Sequence, residues 1–151
     1  MTTEPGGPQR RIVVGVDGSV PSKAALAWAV RQSRLTGAVV EAVIAWEFPS
    51  VTGYPVVVAD VDWEDLAKQI VTDAIREVGS SAGQPEIRRK VVEGNAAQVL
   101  LDESADAELL VVGSRGHGGF VEALLGSVGQ HCVHHAKCPV VVIRGSVTAA
   151  S

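Results

Sequence analysis

Gly113-Ser114-Arg115-Gly116-His117-Gly118-Gly119 is the segment whose residue types most plainly invite chemistry, and it leads on to Leu125-Gly126-Ser127. Glycines let a backbone take conformations closed to other residues and let a ligand come close. Successive N–H groups in such a loop can form a concave donor surface for an anion. Gly126-Ser127 falls where a helix should begin, and a helix start offers unpaired N–H groups and the positive end of a dipole. The Ser127 hydroxyl adds a donor for a phosphate oxygen. The chemistry indicated is phosphate binding. The bland alternative is a glycine-rich turn in which Ser127 only caps a helix. The loop is not a Walker A sequence, because Leu125-Gly126-Ser127-Val128 has no lysine. Nor is it the dinucleotide fingerprint, which follows a first strand, where Gly15-Val16-Asp17-Gly18-Ser19 lacks the glycine pattern.

Asp17 ends an apolar run, where its carboxylate can cap a turn or face a ligand. A receiver-domain phospho-acceptor also sits at a first strand's end, but needs a lysine after the last strand; here Ile143-Arg144-Gly145 follows. His131, Cys132, His134, His135 and Cys138 are ligand types, and His131 and His135 are i, i+4 on one helix face. No matching cluster exists elsewhere, so the reading is an exposed helix face with Cys132 packed inward. No G-x-S-x-G elbow is present. Hydrolysis of a nucleotide would need Mg²⁺ and a positioned base or charge stabiliser. Arg115 and His117 could serve, but read first as exposed loop residues.

The elements that must position these groups alternate strand and helix. Ile12 to Val16 is an unbroken apolar strand, followed by a helix from Pro21 to Leu35 with Ser19 as N-cap and Gly37 at its end. A second strand runs from Val39 to Trp46. A loop from Glu47 to Asp62 holds an apolar Val56-Val57-Val58 that could be a short extended piece. Trp63 to Val78 carries the clearest helical stripe, with Trp63, Leu66, Ala67, Ile70, Val71, Ala74 and Val78 on one face. Ile87 to Val92, with its charges, reads as an edge strand. Gly94-Asn95 caps a helix from Ala96 to Ala105; Leu109 to Gly113 is a central strand; a helix from Val128 to Ala136 and a strand from Val140 to Ile143 close the chain. Apolar strands with helical crossovers give a doubly wound five-stranded parallel α/β sheet with four helices in a single domain. Ligands of such sheets bind outside the carboxyl ends of the strands. That places the chemistry at Val16-Asp17, Trp46, Glu93-Gly94 and Gly113 onward.

The 151 residues fit one domain, with 46% hydrophobic and 20% charged residues, as in an ordinary globular protein. A net charge of -4 argues against a nucleic-acid binder, and Arg10-Arg11 and Arg88-Arg89-Lys90 read as solvated charge. Two cysteines make no disulfide framework. The polar start lacks a signal peptide's apolar core, and no apolar run approaches the ~18 residues of a membrane span. The expectation is a cytoplasmic protein with tails at 1–10 and 146–151 around a domain at 11–145.

Gly113-x-x-Gly116, then nine residues, then Gly126-Ser127 resembles the G-x2-G-x9-G-[ST] ATP motif of the universal stress protein family. The resemblance extends from Arg11 to Arg144 and includes Val14-Gly15-Val16-Asp17-Gly18-Ser19 and Cys138-Pro139-Val140-Val141-Val142. It implies a stress-type regulatory protein that holds ATP, with Mg²⁺. Gly15 and Val16 would line the nucleotide, and Asp17 would contact ribose or a metal near the phosphates. Trp46 would present its backbone to adenine, although it is bulkier than the family's aliphatic residue. Gly113, Arg115, Gly116, Gly126 and Ser127 would wrap ribose and phosphates, with Gly94 on the same edge. The resemblance also implies a homodimer through Val140, Val141, Val142 and Ile143, an apolar strand expected at a sheet edge. A slow ATPase or self-phosphorylating enzyme, and a nucleotide-free dimerisation module, are the alternatives.

Overall fold

The first strand, β1 (Arg11–Gly15), is an apolar run buried through its middle, and the turn after it starts α1 (Val20–Thr36). The computed structural model describes residues 10–48, 50–51, 54–55, 61–78, 86–114 and 125–144. Ser19 caps α1 by accepting from the Ser22 N–H, Pro21 sits in its first turn, and Gly37 ends it at φ 81°. The strand β2 (Val39–Trp46) follows, then a short antiparallel hairpin, β3 (Ser50–Val51) and β4 (Tyr54–Pro55), where the sequence reads as loop. Residues 56–58 lie outside the described residues. The remaining elements are α2 (Trp63–Val78), β5 (Ile87–Glu93), α3 (Ala96–Glu103), β6 (Leu109–Gly113), α4 (Ser127–His135) and β7 (Val140–Ile143).

The main sheet is five-stranded and parallel, in the order β5-β2-β1-β6-β7. The chain winds outward through β2 and β5, then returns to place β6 on the other side of β1. The switch point therefore lies between the carboxyl ends of β1 and β6. As expected, Ile87 to Glu93 and Val140 to Ile143 are the edges, and Leu109 to Gly113 is interior.

Side-chain alternation sends successive residues to opposite faces. Ile12, Val14, Val40, Ala42, Ile44 and Val111 meet α1 and α2 in one core. Val13, Val43, Leu110 and Val112 meet α3 and α4 in the other. Cys132 is fully buried there, and burial pushes its thiol pKa up to about 11. The buried stripe of α2 is narrower than its sequence pattern: Ala67, Val71 and Ala74 are buried, while Leu66 lies exposed because it is at the rim of the face that meets the sheet. Arg11 also departs from the solvated reading. Its guanidinium donates to Glu41 Oε1 at 2.7 Å, to the Glu103 carbonyl and to Asp106. The pairing with Arg11 explains how Glu41, on a strand otherwise apolar through Ile44, is buried as a charged residue. Among the described residues no helix is long and apolar enough to cross a membrane.

The end of β6 presses on the first turn of α1. A Cβ at Gly113 would stand 2.7 Å from the carbonyl carbon and Cβ of Pro21 and 2.8 Å from its oxygen. Backbone cannot yield as a flexible side chain can. Gly113→Ala is therefore expected to cost about 1–3 kcal/mol. It should appear as a lower urea midpoint with an unchanged slope; an unchanged midpoint would mean that α1 moves away freely.

Candidate functional site

Three groups of residues come together at the carboxyl edge of the sheet. The central group is Gly15-Val16-Asp17, held in place because the Val16 N–H continues the β1–β2 ladder to the Val43 carbonyl at 2.8 Å. The turn that follows is clamped by short-range bonds. Asp17 Oδ1 accepts from the Ser19 N–H at 2.9 Å and from the Ser19 hydroxyl at 2.5 Å. The Asp17 N–H donates to Ser22 Oγ at 3.2 Å, and that hydroxyl donates to the Ser19 carbonyl at 3.0 Å. One carboxylate oxygen of Asp17 thus caps the turn, one of the two roles its position in the sequence allows. The same bonds fix the carboxylate's position at the mouth of the switch point. Ser22, buried on α1, belongs to no motif in the sequence; its only signal is its place three residues after the N-cap.

The second group is Gly113, Ser114, Gly126 and Ser127. The Ser114 N–H donates to the Ile143 carbonyl at 2.7 Å, carrying the β6–β7 ladder one residue further. The Ser114 carbonyl then accepts from the Gly126 N–H at 2.6 Å. Ser114 thereby joins the end of the sheet to the start of α4. A Cβ on Gly129, in the first turn of α4, would lie 3.7 Å from the Gly113 carbonyl oxygen, so that turn sits directly beside β6. Gly126 is the N-cap of α4 and makes no side-chain cap bond. The other three helices are capped by a side chain: Ser19 for α1, Asp62 for α2 and Asn95 for α3. Arg115 and Gly116 fall outside the described residues.

The third group is Trp46 and Gly94. The Trp46 carbonyl accepts the Gly94 N–H at 2.8 Å. Gly94 holds φ at +146°, a conformation that side chains oppose. The Trp46 indole packs against the core on the α1 and α2 face and meets Phe48 edge-on, ring centroids 5.3 Å apart. Trp46 and Gly94 lie on the β2 and β5 side of β1, and the Gly113 group lies on the other side, so Gly15 to Asp17 stand between them.

Gly113 has a packing reason to be glycine that sequence could not show, and Gly15 lies against the tip of a flexible side chain. A Cβ at Gly15 would meet Leu100 Cδ1 at 2.7 Å, and one at Gly113 would meet Pro21. Helices from both faces crowd the two strands that border the switch point. As a whole the edge offers a pinned helix start with donors for an anion, a hydroxyl at Ser127 and a fixed carboxylate at Asp17. Among the described residues no group of three or more metal-ligand side chains gathers, here or elsewhere.

The model of the universal stress protein family matches residues 9–144. A curated universal stress protein of Mycobacterium tuberculosis strain H37Rv is 34% identical over 143 residues, covering 93% of this chain and 47% of that protein. The chain spans about half the length of the curated relatives it matches. Among solved structures, a universal stress protein from Lactobacillus plantarum shares the fold at a TM-score of 0.69 and 22% identity, covering 92% of this chain and all of that one. A universal stress protein in complex with cAMP has a TM-score of 0.69 and 26% identity, over 91% of this chain and 98% of the other.

Ser19→Ala removes the acceptor for the Ser22 N–H and the hydroxyl that donates to Asp17. A lost N-cap typically costs about 1 kcal/mol. Denaturant unfolding should show a loss of that size, and unchanged stability would mean that the clamp is redundant.

Proposed function

The chain belongs to the universal stress protein family, and from that premise we propose that it binds an adenine nucleotide, ATP with Mg²⁺, between the carboxyl ends of β1 and β6. The observation that carries this reading is the start of α4. It is the one helix start among the described residues whose N-cap has no side chain, and the Gly126 bond to Ser114 pins it at the switch point. Doubly wound sheets take their ligands there. The first-turn N–H groups and the Ser127 hydroxyl are suited to a phosphate. The intact spacing from Gly113 through Gly116 to Gly126-Ser127 supports ATP, and the relative in complex with cAMP supports the adenine nucleotide class.

In this reading Gly15 and Val16 line the nucleotide and Arg115 and Gly116 complete the loop around it. Gly94 and the Trp46 backbone border the adenine side. Asp17 faces ribose or the cation. The donor chemistry fits Mg²⁺, which commonly takes one or two carboxylates together with phosphate oxygens and water. Bound there, the cation would offset phosphate charge. The nucleotide is a held ligand, and the protein acts as a cytoplasmic regulator of the stress type. The same reading pairs two chains through the edge strand β7, Val140 to Ile143, whose outer backbone groups can take another strand about a two-fold axis.

Adenine nucleotide at ~100 times its Kd should add about 2.7 kcal/mol of stability, or roughly 5–10 °C in Tm for a domain of this size. A melting curve unmoved by millimolar ATP with Mg²⁺, in protein freed of nucleotide, rejects the reading. Phosphate release in the same samples at ~10 s⁻¹, the pace of a typical enzyme, would replace the held ligand with the ATPase alternative.

Gly126→Val puts a branched side chain at the proposed phosphate site, in a backbone conformation (φ -69°) that valine tolerates. Calorimetry should show ATP binding lost while circular dichroism stays native; undiminished binding would move the phosphate site elsewhere. Light scattering should give a dimer at micromolar concentration. A monomer mass, with and without ATP, rules out the β7 pairing.

A further inference from the structure

The last turn of α4 carries a feature that the nucleotide reading does not use. His131 and His135 are both exposed, and their rings lie side by side with centroids 4.6 Å apart and planes tilted by 43°. Residues i and i+4 share one helix face, so the two imidazoles can turn toward a common point above it. Metal–nitrogen bonds of about 2.1 Å, held about 90° apart as in a tetragonal site, put two ring centroids about 4.5 Å from each other. A tetrahedral angle would open them to about 5.2 Å. The observed spacing is close enough for both rings to reach one cation.

We infer that His131 and His135 form a two-nitrogen chelate for a divalent transition-metal cation, Cu²⁺ or Ni²⁺, on the exposed face of α4. The donor set suits first-row transition metals, among which the Irving–Williams order favours Cu²⁺. It holds imidazole nitrogen without thiolate or carboxylate, which suits copper and nickel and disfavours Mg²⁺ and Ca²⁺. Cys132 is fully buried against the core and does not reach this exposed face. His134 stands further off, its ring centroid 6.4 Å from that of His135. Water fills the remaining coordination positions, as no third protein ligand gathers among the described residues. Helix electrostatics favour the site as well. His135 is the final residue of α4, and a cation over the last turn meets the negative end of the dipole. The site is separate from the nucleotide crevice, which lies at the other end of the same helix.

The test uses the untagged chain, stripped of metal and nucleotide, titrated with CuCl₂ or NiCl₂ in a non-chelating buffer and followed by calorimetry. The Cu²⁺ complex is read in parallel by electron paramagnetic resonance. One cation per chain is expected, with a copper spectrum of tetragonal type showing coupling to two nitrogens. Removing one of two linked ligands forfeits the gain of intramolecular binding. His131→Gln and His135→Gln should therefore each weaken affinity by about tenfold or more. His134→Gln should leave it unchanged. Melting of each variant without metal checks that the fold is intact. Absence of stoichiometric binding, or binding indifferent to both His131→Gln and His135→Gln, overturns the inference. So does an equal loss in His134→Gln. None of these outcomes depends on whether ATP binds.

Discussion

Backbone contact at the switch point governs this molecule. β1 and β6 are neighbours whose connecting helices pack on opposite faces, and at their carboxyl ends those helices come too close for side chains. Gly113 meets the main chain of Pro21 on the α1 face, and Gly15 meets Leu100 on the α3 face. At Gly15 and Gly113, main chain rather than side chain borders the switch point. Among the described residues, the first-turn N–H groups of α4 face this end of the sheet.

The opposite end of the sheet is closed by charge. Arg10 pairs with Glu108 at 2.5 Å and donates to the Thr36 carbonyl, and Arg11 spans Glu41, the Glu103 carbonyl and Asp106. Lys90 pairs with Glu103 at 2.7 Å, and that hydrogen bond raises the pKa of the lysine. The exposed members of this group contribute little each. The Arg11–Glu41 pair is different, with side chains only 18% and 12% exposed, since losing either partner strands a charge out of water. The amino end of the sheet is thereby tied across β1, β2 and α3. The carboxyl end is tied by backbone bonds through Ser114 to β7 and α4 and through Gly94 to β2, and by the side-chain clamp of Asp17, Ser19 and Ser22.

Membership of the family explains the architecture and leaves the chemistry to the loops. The chain spans about half the length of the curated relatives it matches, so those proteins extend well beyond the region shared with it. Particular side chains shape the surfaces of this chain. Trp46 takes up room against the core and against Phe48, so at this strand end only main chain is directed along the ladder toward Gly94. The histidine pair of α4 stands on a face that neither core uses.

Ser19, Asn95 and Gly37 mark helix ends through bonds within a few residues, so a linear text is enough to reveal them. The apolar runs at Val13, Val40 and Leu110 announce strands buried on both faces, and parallel pairing follows from the helices between them. The glycine spacing around Gly113 and Gly126 points to a phosphate site by the same kind of local signal. Other features depend on residues distant in sequence. The buried charge of Glu41 makes sense only beside Arg11, thirty residues earlier. The partial burial of Arg11, the exposure of Leu66 and the main-chain contact that favours glycine at position 113 are hidden from the sequence for the same reason. Sequence by itself determined the four helices and the five strands of the main sheet, though not the β3–β4 hairpin, because caps, periodicity and apolar runs act over a few residues. Tertiary structure alone decided which strand ends meet, and so which backbone groups face one crevice, because that depends on packing between elements far apart along the chain.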